Sequence, residues 1–236
     1  MDNARHIIGL VYVSAFAFFF HLFNATAFTW LIFAISYFCI QCLGMTVGYH
    51  RLCMHKVAKV PSWFRNLCLF FGTFGLQNSA LSWCAVHSAH HRHSDTNKDP
   101  HSPMFQDAFT QIFAFETLPL KEVSIRRVPW LLRSNTIGYQ HKHYYKIIYG
   151  TCALVALIDP YAVVYGILAP GFLSRVMMQV FLATYSHRNG TPHNDTWLGY
   201  ASLGEGWHMN HHKNVKAISW HKHDLGGMVL KKLEIS

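Results

Sequence analysis

The amino-acid sequence predicts an all-α membrane protein with a cytosolic helical cap that holds a di-metal site. Hydrophobic residues make up 51% of the 236 residues and charged residues only 13%, about half of the charged fraction usual in soluble domains. Long apolar segments lie near the amino terminus and again in the second half of the chain. The chain also has 18 histidines, many of them in groups with metal-ligand spacing. These three observations together determine the predicted fold class.

The apolar segments divide into four predicted transmembrane helices, arranged as two hairpins. The first pair covers residues 7–23 and 25–47, each close to the ~20 residues that cross a hydrocarbon core. A cleaved signal peptide does not fit the first segment, because a second span follows at once. The second pair is placed at about residues 144–165 and 167–187. Its turn lies either at Asp159-Pro160 or at Ala169-Pro170-Gly171, and both positions remain open.

The segments 48–143 and 188–236 form the predicted cap, so that residues 1–236 make a single membrane domain. The apolar run Trp63–Leu76 is too short for a span and is predicted to be an interfacial or buried helix. Basic residues lie in the cap, whereas the hairpin tips carry only Asp159. The positive-inside rule therefore places both termini of this multi-pass protein in the cytosol.

Charge narrows the range of partners. The net charge of +9 is spread along the polar segments without a long basic run, which argues against a nucleic-acid partner. Anionic lipid or an acidic carrier protein fits this balance better. Inside the second apolar block, Arg175 and Gln179 lie four residues apart on one helical face, and either a bundle-facing or a functional pair is compatible with this spacing.

Nine histidines form four groups just beyond the apolar segments. The spacing H-x-x-H-H occurs twice, and on a helix these three positions share one face, so each triplet directs its imidazoles one way. His50 and His55, five residues apart, are expected to converge only if the second span ends or bends between them. The nine candidate metal ligands are His50, His55, His87, His90, His91, His187, His208, His211 and His212.

Nine imidazoles exceed the roughly four to six ligands that one metal accepts, so two metals with four or five ligands each are predicted. A neutral site rich in imidazole suits iron, copper or zinc. Three nearby carboxylates, Asp95, Asp99 and Glu205, are expected to orient imidazole N–H groups. A non-enzymatic metal or proton transporter is the alternative from another class. Its ligands would lie within the spans, where only His21 is found.

These motifs resemble those of the membrane fatty acid desaturase family, in particular its stearoyl-CoA desaturase branch. The three histidine boxes of the family match His50-Arg51-Leu52-Cys53-Met54-His55, His87-Ser88-Ala89-His90-His91 and His208-Met209-Asn210-His211-His212. The middle box extends into Asp99-Pro100-His101-Ser102-Pro103, and Gly204-Glu205-Gly206-Trp207 precedes the last. His187 looks like the ninth ligand of that branch. Gln77, Asn78 and Trp83 match positions that line the bend of its acyl tunnel.

The resemblance implies an enzyme with two iron ions that uses O2 to introduce a double bond into a fatty acyl chain. No catalytic residue beyond the metal ligands is implied. The substrate would be held as a thioester on acyl carrier protein or coenzyme A, or as a lipid. No cytochrome domain is fused, so a separate ferredoxin, rubredoxin or cytochrome is expected to supply electrons, and the short chain indicates a bacterial inner-membrane member.

Three departures from the family pattern affect this reading. Ala183 stands where the family has an asparagine four residues before its ninth histidine. Ala85 and Val86 replace an Arg-Asp pair of acyl-CoA enzymes, and Asn214-Val215-Lys216 replaces a Phe-Pro segment. The first two motivate a second enzyme hypothesis, hydroxylation or alkyne formation on chains bound to acyl carrier protein. That acidic partner would suit the positive net charge.

Overall fold

The structure is a computed structural model that describes residues 2–235, and its regular elements in this range are all helices. The all-α prediction is therefore confirmed. The α-helices in chain order are α1 (Asp2–Asn24), α2 (Ala27–Tyr37), α3 (Ser62–Thr73), α4 (Ala80–His93), α5 (Pro129–Leu132), α6 (Asn135–Ala156), α7 (Pro160–Val163), α8 (Ala169–Val176), α9 (Thr196–Ala201), α10 (His208–Lys213) and α11 (Leu225–Leu233). Short π-helical and 3₁₀ segments connect or extend several of them.

In the described range, three helices are long and apolar enough to cross a membrane: Ala4–Asn24, Ala27–His55 and Pro160–Gly190. The first two contain nearly all of the predicted segments 7–23 and 25–47. They are separated at Thr26, whose side chain accepts a hydrogen bond from the backbone N–H of Thr29. A capping threonine satisfies one of the free N–H groups at a helix start, which explains why α2 begins here.

The second apolar helix is longer than predicted because it continues as a π-helix over Phe38–His55. The hydrogen bonds of a π-helix join residues five apart, so such residues share one face. His50 and His55 thus converge without an end or a bend in the helix between them, and the expectation that one was required is wrong. The left-handed Lys56, with φ of 51°, follows directly and ends the helix.

The second apolar block turns at Asp159-Pro160, the first of the two open positions. Asp159 caps α7 by accepting from the backbone N–H of Tyr161, and α6 ends before it at Ala156. The boundary predicted near residue 166 is therefore misplaced. Pro170-Gly171 lies inside a helix, where a Cβ at position 171 would overlap the carbonyl oxygen of Phe74. This glycine permits a close helix approach instead of a turn.

The predicted short helix at Trp63–Leu76 is present as α3, which packs along the π-helical segment. Gly44 and Gly72 face each other at this contact, and a Cβ at Gly44 would overlap the backbone at Gly72. Buried Phe64, Cys68 and Leu69 fill the interface. Because α3 packs closely against the π-helical segment, α4, which follows α3 in the chain, also lies beside the end of the second apolar helix.

Candidate metal centre

The structure gathers the nine predicted histidines into two clusters. Within each cluster, one ring nitrogen from every histidine lies within 4.8 Å of all the others. The first cluster contains five residues, His50, His55, His87, His91 and His211. The second contains four residues, His90, His187, His208 and His212. Each cluster could hold one metal ion, in agreement with the expected division into five and four.

The two H-x-x-H-H triplets are shared crosswise between the clusters. His87 and His91 of α4 lie in the five-histidine cluster, whereas His90 lies in the other. In α10 the arrangement is reversed, because His208 and His212 join the four-histidine cluster. The expectation that each triplet directs all three imidazoles one way is therefore wrong. The first and last histidines of a triplet, four residues apart, lie closest in angle around the helix, and the histidine at the third position after the first is offset to the other side. Each helix therefore contributes to both sites.

The ring nitrogens are spaced as ligands of a common metal would be. In the five-histidine cluster, Nε2 of His87 lies 2.9 Å from Nε2 of His91. Nε2 of His211 lies 3.0 Å from Nε2 of His91 and 3.1 Å from Nε2 of His50. Metal–imidazole bonds of about 2.0–2.1 Å place neighbouring ligands roughly 2.8–3.4 Å apart at octahedral or tetrahedral angles. The donor set therefore fits a bound metal in both number and spacing.

The three carboxylates singled out from the sequence each contact the other nitrogen of a clustered imidazole. Oε2 of Glu205 lies 2.6 Å from Nδ1 of His50. The corresponding distances are 2.9 Å from Asp99 to His90 and 3.0 Å from Asp95 to His187. A carboxylate that accepts a hydrogen bond from Nδ1–H leaves the Nε2 lone pair directed toward the cluster. In each of these three pairs, the ring orientation suits metal binding through Nε2.

Local backbone geometry places these carboxylates. Asp95 follows α4 in a left-handed conformation with φ of 64°, and its N–H and that of His101 both donate to the carboxylate of Asp99. Before α10, Gly204 has φ of 126°, and a Cβ on Gly206 would overlap the backbone of α9. Both glycines are required for the tight turn that buries Glu205 beneath His50.

Burial favours the neutral form of the three histidines of α10. It lowers the pKa of His208 and of His211 well below the usual value, and it lowers the pKa of His212 to about 3. The reason is that the charged imidazolium loses its hydration, and neighbouring imidazoles would repel it. Burial has the opposite effect on an acid and raises the pKa of Glu205 to about 8 in the metal-free protein. The positive charge of a bound metal would favour the ionised carboxylate that accepts from Nδ1–H of His50. Neutral imidazoles are the form that binds metals.

Two tryptophans pack against the five-histidine cluster. The ring of Trp83 stacks on His87 with centroids 4.6 Å apart, and Trp220 lies 4.4 Å from His211. Arg51 lies over Trp220 and forms a fully buried ion pair with Asp224 at 2.9 Å. Sequence reasoning found Trp83 through its position before the middle box, but it missed Trp220 and Asp224, which carry no local motif.

Three cavities near the clusters share lining residues in series. The inner chamber lies beside the histidines and is bounded by Trp83, His101, Gln179 and Ala183. A middle chamber shares the first three of these and adds Gln77, Asn78 and Glu116. An outer cleft shares Asn78 and Glu116 with the middle chamber. The three predicted substrate residues Gln77, Asn78 and Trp83 therefore all line this series of cavities. Two further residues line it: Gln179, for which the sequence allowed either a structural or a functional role, and His101, which lies close to a histidine box.

Known proteins resemble this chain over most of its length. The family model for fatty acid desaturase matches residues 28–227. Delta-9 acyl-lipid desaturase 1 of Arabidopsis thaliana is 28% identical over 258 residues, covering 95% of this chain and 79% of the relative. Delta-9 acyl-lipid desaturase 2 of the same plant is 26% identical, with 88% and 73% covered. Acyl-CoA 5-desaturase AL21 of Anemone leveillei is 27% identical, with 88% and 70% covered.

Proposed function

The chain belongs to the fatty acid desaturase family, and from this membership we propose that it is an oxygen-dependent di-iron desaturase of membrane lipid. The observation that carries the proposal is the pair of histidine clusters, five and four residues in size, each with a carboxylate behind at least one ring. The nine clustered histidines are the proposed iron ligands. Asp95, Asp99 and Glu205 are the proposed residues that orient them.

The reaction requires a redox metal. A saturated segment –CH2–CH2– with O2, two electrons and two protons gives –CH=CH– and two water molecules. Unactivated C–H bonds lie beyond side-chain acid–base chemistry, and two bound iron ions would supply the oxygen-dependent oxidation. The chain itself supplies neutral ligands, buries them away from water, and leaves the inner chamber beside them for the reacting carbons. A narrow chamber selects those carbons by position.

The adjoining cavities form the proposed path of the acyl chain. Trp83 lines both the inner and the middle chamber, so a chain passing its ring would reach the histidines. Gln77 and Asn78 line the middle chamber farther from the metals. We assign substrate contact to these three residues and to Gln179, which faces the same two chambers.

The outer cleft favours a membrane lipid as substrate. Its lining includes Ile7, near the start of the first apolar helix, and Ile125. Ala85 and Val86 also line it, in place of the Arg-Asp pair that the resemblance associates with acyl-CoA. Most of this lining is apolar, although Asn78 and Glu116 also contribute. Such an opening near the start of an apolar helix suits an acyl chain delivered from lipid, and two of the relatives named above are acyl-lipid desaturases.

The proposed topology has four spans with both termini in the cytosol. In addition to the three apolar helices, α6 is the remaining proposed span, and Lys142 and Lys146 lie in its first half. Basic residues at the start of this helix and in the cap would remain on the cytosolic side. A separate ferredoxin, rubredoxin or cytochrome would deliver electrons there.

The direct test is expression in a host strain that lacks its own desaturase, together with an electron-transfer system, followed by mass spectrometry of lipids and acyl thioesters. We expect new double bonds in lipid acyl chains, and loss of product in His90→Ala and His211→Ala. The control is His93→Ala, since His93 follows the middle box but lies outside both clusters. Full activity without His90 or His211 would refute the proposal.

The second candidate function is hydroxylation or alkyne formation at the same centre. The observation that favours it is Ala183, whose methyl group lines the inner chamber beside the four-histidine cluster. The same mass-spectrometric measurement separates the two reactions. A gain of one oxygen, or loss of four hydrogens in place of two, would replace the desaturase proposal with this one.

A further inference from the structure

Arg175 and Glu116 form a buried ion pair that lies outside both histidine clusters. Nη1 and Nη2 of Arg175 each lie 3.0 Å from one carboxylate oxygen of Glu116. The side chains are 0% and 9% exposed, respectively. Removing such a pair from water is costly unless its geometry is good and further hydrogen bonds satisfy it. The pair makes further hydrogen bonds to the segment that lines the middle chamber.

Arg175 is bound to the backbone next to the middle chamber. Its Nε donates to the carbonyl oxygen of Ile112 at 2.7 Å, and its Nη1 also donates to the carbonyl oxygen of Leu76 at 2.5 Å. Four of its five N–H groups are thus paired. On the other side, Nδ2 of Asn78 donates to Oε1 of Glu116 at 3.3 Å. The ion pair therefore makes hydrogen bonds to the residues on both sides of Gln77, through Arg175 to Leu76 and through Glu116 to Asn78.

The backbone from Leu76 to Asn78 is strained. Leu76 and Asn78 both adopt left-handed conformations, with φ of 55° and 62°. Residues with a side chain rarely occupy this region, and they persist there only when the surroundings enforce it. Gly171 lies one turn before Arg175 on the same helix face and allows the close approach that brings the guanidinium to this segment. The ion pair thus supports a conformation that is costly for Leu76 in particular, since asparagine adopts it more readily.

The side-chain amide of Gln77 lies between these two left-handed residues and faces the middle chamber. Gln77 is 5% exposed and lines the middle chamber, and its Nε2 has no hydrogen-bond partner among the described residues. A buried donor without an acceptor is costly and rare in native proteins. An acceptor supplied by the substrate would remove this cost. Apolar contacts along an acyl chain are non-directional, so a single polar contact can fix how far the chain enters.

We propose that Arg175 and Glu116 are positioning residues that hold the Gln77 amide toward an oxygen at the carboxyl end of the acyl chain, and so determine which carbons lie beside the metals. This inference rests on the proposed function. The ion pair need not touch the reacting carbons. It sets the position of the double bond by fixing the strained segment from Leu76 to Asn78.

The test compares double-bond positions in the full chain, expressed with its electron-transfer system in a host lacking its own desaturase. The probes are the saturated C16 and C18 acyl chains of the host lipids. Glu116→Gln removes the charge and keeps the shape, and the double variant Glu116→Leu/Arg175→Met replaces the pair by apolar groups of similar size, which protects against a folding failure. The control is Asp159→Asn, which removes a carboxylate at the distant turn before α7.

We expect the wild type and Asp159→Asn to give one dominant double-bond position. Both pair variants should keep the wild-type metal content, while the ratio of minor to major positional isomers rises by about fivefold or more, as for the loss of one directional hydrogen bond. Binding of a saturated acyl lipid to the metal-free protein should weaken in parallel. Unchanged isomer ratios in metal-loaded, active double variants would overturn the inference. A wild type that binds iron but makes no double bond would instead refute the proposed function.

Discussion

Oε2 of Glu205 lies 2.6 Å from Nδ1 of His50, although 155 positions separate them in the chain. Both side chains are about 1% exposed. The contact joins the turn before α10 to the end of the second apolar helix, so it ties two of the three histidine boxes together. It also directs the free nitrogen of His50 toward four other imidazoles. This pair is therefore a sensitive point at which to test the metal centre.

Replacing Glu205 by Gln should weaken metal binding in the five-histidine cluster. The amide keeps the shape of the side chain, but it accepts the Nδ1–H hydrogen bond of His50 less strongly than a carboxylate does. Loss of such an outer partner lowers metal affinity by about 10–100-fold. Competition with a graded chelator series measures the affinity. Glu234→Gln, at an exposed position near the carboxyl terminus, is the control, and equal affinities in both variants would contradict the orienting role.

Replacing Ala183 by Asn should make the four-histidine cluster hold its metal longer. Ala183 lines the inner chamber beside His90 and His208, and an amide there could bind a water ligand of the metal. We expect slower release of one of two metals to a chelator, with the other unchanged. Ala183→Leu has a similar size without a polar group and serves as the control. Identical release from both variants would show that the amide has no such role.

The metal-free protein should lose stability as the pH falls from about 7 to 5. The pKa of His212 is lowered to about 3 by burial, whereas the unfolded histidine titrates near 6.5. The unfolded state therefore binds more protons below about pH 6.5, and each such histidine destabilises the fold by about 1.4 kcal/mol at about pH 5.5. Thermal unfolding of chelator-treated protein against pH measures this effect. A midpoint independent of pH in this window would contradict it.

Removing Asp224 should destabilise the fold more than removing a more exposed acid. Arg51 and Asp224 are both 0% exposed and pair at 2.9 Å, so Asp224→Asn leaves a buried guanidinium without its counter-charge, at a cost of about 3–5 kcal/mol. The matched variant is Asp195→Asn, whose partner Arg188 is 34% exposed, where a cost of about 1 kcal/mol or less is expected. Denaturant unfolding of both variants compares them. Equal losses would mean that burial of the first pair is unimportant.

The nine clustered histidines could be predicted from the sequence because metal binding restricts both residue type and local spacing. Two H-x-x-H-H triplets indicate shared helix faces, and the nearby acids follow from the need to orient imidazoles. The crosswise sharing between clusters was not accessible, since it depends on how α4 and α10 pack against each other. The π-helical turn that brings His50 to His55 was also missed, because hydrophobic periodicity does not distinguish it from a helix end.

Long-range polar pairs were the least accessible part. Arg51 and Asp224 are 173 positions apart, and Arg175 and Glu116 are 59 apart, so no local pattern connects them. The sequence showed only that Arg175 is a charge inside an apolar block. Likewise, Pro170-Gly171 has the composition of a turn, but the close packing of Gly171 on the Phe74 carbonyl depends on the tertiary structure.

We propose that nine histidines hold two iron ions, and the most direct test is metal content per chain in purified protein, with the element identified by mass spectrometry. We predict about two iron atoms per chain in the wild type. His55→Ala and His212→Ala, each in a different cluster, should each retain about one, because one cluster stays complete. A wild type with one metal or none, or with zinc in place of iron, would contradict this proposal, as would full iron content in both variants.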